Sequence, residues 1–347
     1  MRQICLSRLQ PLTICVAFGL TLSGCAGGPM GSGPTSFTQA GRIGPNNGSD
    51  SCYAQAQALD ETGNFFGQDI LTGAASGAAG GGLLGALAGG NWQSALIGAA
   101  AGGAVGAAGG YWAALQKQQQ SAAQMDATVT SNLTAENNQI NQTQLAFNAD
   151  MDCRFQQAQT IRQQYAAGQI TQAKATTNMA QVKAWAQRDL QLAQTINGQI
   201  QSRGAQFDTA VTNLSNGAPP PPSPQQASLS QPASIRQDTP LYLRPDPSAP
   251  VVGQASRHDS VTVTGTSNGY ALVQTDSGTQ GFAPIEDVGQ PDSERSIALP
   301  PTPSPAASSG GSQIQQLDGS NAASRDAFAQ NVSVSQSAVS NGFQLSS

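Results

Sequence analysis

Between Asp69 and Lys117 the chain carries no charged side chain, and within that stretch glycine returns every fourth residue in two frames. The first frame is Gly73, Gly77, Gly81, Gly85 and Gly89; the second is Gly98, Gly102, Gly106 and Gly110. Four-residue spacing lines these glycines along one helix face, where the missing side chains let a second helix backbone approach to van der Waals contact. Gly90, Asn91 and Trp92 separate the frames and combine turn chemistry with an interfacial type of aromatic. The pattern predicts a glycine-zipper helical hairpin over residues 69–111. Each arm, 70–89 and 93–111, comes close to the ~20 residues that cross a hydrocarbon core of ~30 Å. Large apolar residues in the first arm are only Ile70, Leu71, Leu83, Leu84 and Leu87. Because Gly and Ala drive insertion weakly, such a segment could pass one membrane and insert in another. A Gly/Ala-rich hairpin packed outside lipid, or a linker, is the competing reading.

The N-terminus points to the same compartment. Arg2 and Arg8 precede an apolar run, residues 12–22, of signal-peptide length and too short to span a bilayer. The run ends in Leu22-Ser23-Gly24-Cys25, which resembles the lipobox of bacterial lipoproteins. That resemblance implies removal of residues 1–24 and acylation of Cys25 by several chains, palmitate-like in kind, which anchors stably to membrane lipid. Ala26 follows where an aspartate would favour inner-membrane retention, so the resemblance implies the periplasmic face of the outer membrane. The zipper itself is similar to the glycine-zipper two-transmembrane segment of the rickettsial 17 kDa surface antigen family, whose members are mostly outer-membrane lipoproteins.

Composition argues against a large catalytic domain. Charged residues make up 10% and aromatics 5%, with 39 Gly and 20 Pro, which suits short cores separated by low-complexity segments. The formal charge is -5 and becomes -7 once Arg2 and Arg8 leave with the signal peptide. No basic patch remains for nucleic acid. Residues 25–51 read as a flexible linker and 52–68 as a short helical segment. Of five cysteines, Cys5 and Cys15 leave with the signal peptide and Cys25 is acylated. Cys52 and Cys153 remain, a disulfide candidate in an oxidising compartment. If both zipper ends sit at one surface, Cys153 lies ~54 Å from Lys117 along a straight helix, while 17 residues before Asp69 reach ~58 Å only when extended. That fit predicts a bent or folded-back first helix, or a bond between two chains.

From 112 to 216 the chain is rich in Gln, Ala, Asn and Thr and reads as a long α-helical hairpin. Gly168 suits a left-handed cap and Thr171 the N-cap of the second helix. In that helix Met179, Val182, Trp185, Leu192, Ile196, Ile200, Phe207, Val211 and Leu214 form a coiled-coil-like seam. The seam is either the core of an intramolecular hairpin or a stalk or oligomer interface. The first helix is less regular, and residues 126–134 are expected to bend it.

A Pro-rich linker at 217–233 leads to a small all-β region, 234–288, with five short strands. Leu241-Tyr242-Leu243-Arg244 with Pro247, Val252-Gly253, Gly269-Tyr270 and Gly281-Phe282 occur in the order of the bacterial SH3 family, which this region resembles. The departures are Tyr270 and Phe282 where tryptophan is frequent and Pro245-Asp246 where Ser-Gly is frequent. The resemblance implies a small barrel that binds cell-wall peptide, sugar or a protein partner. Tyr242, Arg244, Tyr270 and Phe282 are the candidate ligand surface, aromatic faces beside one cation; alternatively Phe282 is core and Arg244 a loop brace. His258 is expected at an exposed turn. Residues 289–347 read as a low-complexity tail, disordered to about residue 321, with a weak helix at 324–345.

The fold class is thus multi-part: zipper hairpin, long antiparallel helical hairpin, SH3-like barrel and linkers. One histidine, no metal-type Cys/His spacing and no phosphate loop argue against an enzyme. The expected role is a non-enzymatic envelope lipoprotein, with no cofactor beyond the lipid, tethering toward peptidoglycan or a periplasmic protein. The alternative is a subunit of a homo-oligomeric or larger secretion or pore complex in the envelope.

Overall fold

The computed structural model describes residues 38–67, 110–118, 121–215, 230–290 and 312–345, all within one compact unit spanning 34–347. The expected signal peptide with Cys25, the zipper glycines from Gly73 to Gly106 and the proline run lie outside the described residues.

Six helices and seven strands follow in chain order among the described residues. They are α1 (Gln39–Ile43), α2 (Tyr53–Phe66), α3 (Gly110–Lys117), α4 (Ala122–Ala166), α5 (Gln172–Leu214), strands β1 to β7, and α6 (Gln313–Asn341). Local chemistry sets the helix ends. Ser121 and Gln124 form a capping box at the start of α4, Gly168 takes φ 70 in the turn after it, and the Thr171 side chain accepts from Lys174 N at the start of α5. Helix α4 runs through 126–134 without the interruption that its Thr, Val, Ser and Asn content suggests. The Thr128 and Thr134 hydroxyls donate to carbonyls four residues back, and Val129 and Leu133 are fully buried, so polar side chains are absorbed within the helix. The break comes earlier, between Lys117 and Ala122.

The hairpin α4–α5 is antiparallel, and α6 completes a three-helix bundle by packing against both. Buried positions on each helix keep steps of three and four. On α4 they run Val129, Leu133, Glu136, Ile140, Thr143, Phe147, Asp150, Arg154, Ala158 and Ile161. On α5 they include Met179, Val182, Ala186, Asp189, Ala193, Ile196, Ile200, Arg203, Phe207 and Ala210. On α6 they are Ile314, Asp318, Asn321, Arg325, Phe328, Val332, Ser335 and Val339. The seams are therefore of coiled-coil type with charged residues at inward positions. The apolar seam of α5 is consumed within the chain, as an intramolecular core. Helix α6 begins at Gln313, where disorder to about 321 was expected; a Ser312–Gln315 capping box starts it, and Ile314 and Leu317 dock beside Val129 and Phe207.

The C-terminal β-region is a seven-stranded antiparallel sheet of order β3-β2-β6-β5-β4-β1-β7. Its strands are β1 (Gln231–Ile235), β2 (Thr239–Tyr242), β3 (Val251–Ala255), β4 (Ser260–Ser267), β5 (Tyr270–Thr275), β6 (Gln280–Pro284) and β7 (Val288–Gly289). Five coincide with the expected strands. The sheet is open rather than a closed five-strand barrel, because β1 and β7 extend one side, and β1 begins inside the stretch read as linker. Asn268 (φ 50) and Gly269 (φ 80) make the β4–β5 turn, where left-handed backbone favours Asn and Gly.

Candidate functional site

Two helices flank the zipper stretch, and both dock at one end of the bundle. Helix α2 ends at Phe66, 3% exposed, and α3 begins at Gly110 with Tyr111 2% exposed. The Phe66 and Phe65 rings lie 6.0 and 5.0 Å from the Arg203 guanidinium, a cation–π arrangement. Gln139 donates to the Thr62 carbonyl. On the other side, the Tyr111 hydroxyl accepts from Asn132 Nδ2 at 2.8 Å, its ring meets Phe207 edge-on at 5.3 Å, and Leu115 is buried among Val129, Leu133 and Val211. One turn of α5 thus meets both flanks of the zipper, through Phe207 and through Arg203. Glu136 holds Arg203, accepting from Nε at 3.0 Å and from Nη2 at 2.6 Å. We refer to this arrangement as the collar.

The disulfide lies farther along the bundle. Cys52 and Cys153 are bonded within one chain, Cα atoms 5.8 Å apart. No intermolecular bond is required: the helical stretch folds back at the break between Lys117 and Ala122, which sets Tyr111 beside Asn132, and the remaining distance is covered by helix α2. It packs antiparallel along α4, and its 14 residues span ~21 Å, matching the rise between Gln139 and Cys153. Beside the bond, Arg154 is fully buried. It donates to Asp50 at 2.5 and 3.0 Å and to Asp189 at 2.7 Å, with Asp150 3.6 Å away and the Trp185 ring 5.7 Å away. Burial, with Asp189 next to it, raises the Asp150 carboxyl well above the usual range, so it holds its proton against Asp189.

The four residues of the expected ligand surface divide. Phe282 is 1% exposed and belongs to the core, which removes its ring from any open face. Arg244 forms a bidentate pair with Asp152 of α4 at 2.6 and 2.8 Å, bracing the β-region on the bundle. Tyr242 and Tyr270 stack edge-to-face at 6.0 Å and are half-buried against the shared core. His258, at φ 72, sits in an exposed turn, its amide donating to the Ile235 carbonyl at 2.7 Å. The collar residues Glu136 and Arg203 escaped sequence reading; their signal was opposite charges at inward seam positions of paired helices.

Among the described residues no helix is long and apolar enough to cross a membrane. Residues 57–114 match the model of the YMGG-like Gly-zipper family. The match starts within α2 and ends within α3, so it covers the zipper together with both collar arms, and it points to a membrane-associated envelope protein. The finer likenesses, to the rickettsial antigen family and to bacterial SH3 domains, rest on sequence motifs alone. No curated protein and no solved structure matches the chain.

Proposed function

We propose that the chain is a non-enzymatic envelope lipoprotein, anchored through Cys25, whose zipper enters a membrane as a hairpin. Its bundle carries an SH3-like module toward peptidoglycan or a periplasmic protein. The collar is the observation that carries this reading. Both flanks of the zipper are fixed on one end of the bundle, Phe65 against Arg203 and Tyr111 against Phe207 on the same helix, and a two-pass hairpin needs its ends at one membrane surface. The β-region attaches elsewhere, through Asp152 on α4, about 24 Å along that helix from Glu136 at 1.5 Å per residue. Membrane contact and partner contact are thereby separated. The order of landmarks from Tyr242 to Phe282, falling on strands β2 to β6, supports the SH3-like assignment, and Ala26 after the lipidated cysteine favours the periplasmic face of the outer membrane.

Alkaline extraction of membranes carrying Cys25→Ser tests the hairpin. The variant is expected to stay with the membrane, and Gly81→Leu with Gly102→Leu added is expected to release it by spoiling close helix approach. Recovery of Cys25→Ser alone in the soluble fraction would overturn membrane insertion. Retention of the full chain on purified peptidoglycan supports the tether, and its absence turns the reading toward a protein partner. Mass photometry after detergent extraction separates the tether, a monomer or dimer, from a ring-forming assembly.

A further inference from the structure

A groove of about 520 Å³ runs beside the disulfide, between α4, α5 and the segment before α2. Amide side chains dominate its walls: Gln156, Gln157, Asn178 and Gln181, with the Thr160 hydroxyl and the Trp185 indole. Among the described residues no ionisable side chain lines it; the cysteine on the wall, Cys153, is in the disulfide. We propose that this groove binds a neutral carbohydrate of up to three sugar rings, a site separate from the β-region and independent of the membrane reading.

The chemistry of the lining selects that class. A sugar hydroxyl both donates and accepts, and each carboxamide does the same with two N–H groups and one carbonyl oxygen. A sugar ring also has an apolar C–H face, which an indole can cover. A charged ligand would give up hydration without meeting an opposite charge on the lining, a cost that disfavours peptides with free carboxylates or ammonium groups. The volume lies in the range of small-molecule sites.

The floor is rigid, which lowers the ordering cost of binding. Cys153 lines the groove and is bonded to Cys52; the Cys52 amide donates to Asp50 at 2.9 Å, and Asp50 is held by Arg154. Arg154 in turn lies against the Trp185 ring, so the indole is backed by a fully buried cation. Gln157 donates through Nε2 to the Ser51 hydroxyl, while its carbonyl oxygen is buried without a partner among the described residues. An unsatisfied acceptor of that kind calls for a donor, and a ligand hydroxyl supplies one.

Isothermal titration of the full chain, disulfide intact in detergent, with the trisaccharide of N-acetylglucosamine tests the site. Saturable binding is expected, and Trp185→Ala should weaken it about tenfold, the loss of one good aromatic contact. Because Trp185 also packs on the core, Gln181→Ala on the exposed rim is the companion variant, with an expected loss of about threefold, near one neutral hydrogen bond. Absence of heat up to the solubility of the trisaccharide would sink the proposal, as would binding unchanged by both variants. Displacement of the trisaccharide by a zwitterionic tripeptide would overturn the neutral-ligand class.

Discussion

The bundle and the β-region share one continuous hydrophobic core, yet they fill it differently. The bundle places Glu136, Asp150, Arg154, Asp189 and Arg203 at inward positions, whereas the β-region fills its interior with Leu241, Val263, Val273 and Phe282 and buries Asp287 at its margin. Strands alternate, so a one-residue slip turns every side chain to the wrong face, and apolar residues suffice to fix register. Helices with an all-apolar seam can slide by a heptad; a charged layer that must meet its counterpart removes that freedom. Glu136 with Arg203, and Arg154 with Asp50 and Asp189, are two such layers, and each adjoins a feature that must be aligned: the collar and the disulfide. The bundle is therefore sensitive to redox state, charge and pH in ways the β-region is not.

Loss of the disulfide is the largest expected effect and the most direct way to break that contrast. The bond joins residues 101 apart, and closing a loop of about 100 residues stabilises by about 4.7 kcal/mol in the chain-entropy account. Cys153→Ala should lower the urea midpoint read by helical circular dichroism, with the tyrosine signals of the β-region moving less. Equal shifts in both signals would show that the two cores unfold as one and remove the distinction.

Next in size is Arg154→Met. It strands Asp50 and Asp189 beside an already protonated Asp150, and breaking a buried pair by removing one partner costs about 3–5 kcal/mol. Adding Asp50→Asn and Asp189→Asn should recover most of that loss. Failure to recover would mean that Arg154 acts through its packing on Trp185 and not through charge.

The third prediction concerns pH. Burial, with Asp208 beside it, lifts the Asp318 carboxyl from 3.8 to about 7, Arg325 opposing. The folded chain then holds a proton that the unfolded chain releases near pH 4, so stability falls as pH rises from about 4 to about 7 and levels above. Asp150, raised by its own burial, has the same sign. Asp318→Asn should flatten the slope of stability between pH 5 and 7; an unchanged slope in that variant would assign the dependence to the Asp150 cluster alone.

How much of this was readable from sequence follows the same contrast. The β-strands between 239 and 284 were legible because alternation and the Asn268-Gly269 turn are local signals. Gly168 and Thr171 were legible for the same reason. The seam of α4 looked irregular only because Glu136, Thr143, Asp150 and Arg154 stand where apolar residues were sought; once polar occupants are allowed, the three-four spacing is continuous. Helix α6 was missed at its start because Asp318, Asn321 and Arg325 also read as surface. The pairing of Arg244 with Asp152 joins residues 92 apart, and nothing local in either segment announces it.

That joint carries the smallest expected effect. Arg244 and Asp152 are 15% and 30% exposed, and partly solvated ion pairs contribute little, on the order of 0.2–1 kcal/mol even when bidentate. A double-mutant cycle with Arg244→Ala and Asp152→Ala should give a coupling within that range, measured by urea denaturation of the bundle signal. The structural consequence is larger than the energetic one. Besides this pair, the β-region meets α6 through Gly278, whose carbonyl accepts from Ser337 and Asn341, so cutting one joint leaves the module held by the other. Proteolysis after residue 290 should accelerate in the Arg244→Ala chain only when Ser337→Ala and Asn341→Ala are added. If Arg244→Ala alone frees the module, the ion pair is the main joint, and a ligand that recruits Arg244 would release the β-region from the bundle as it binds.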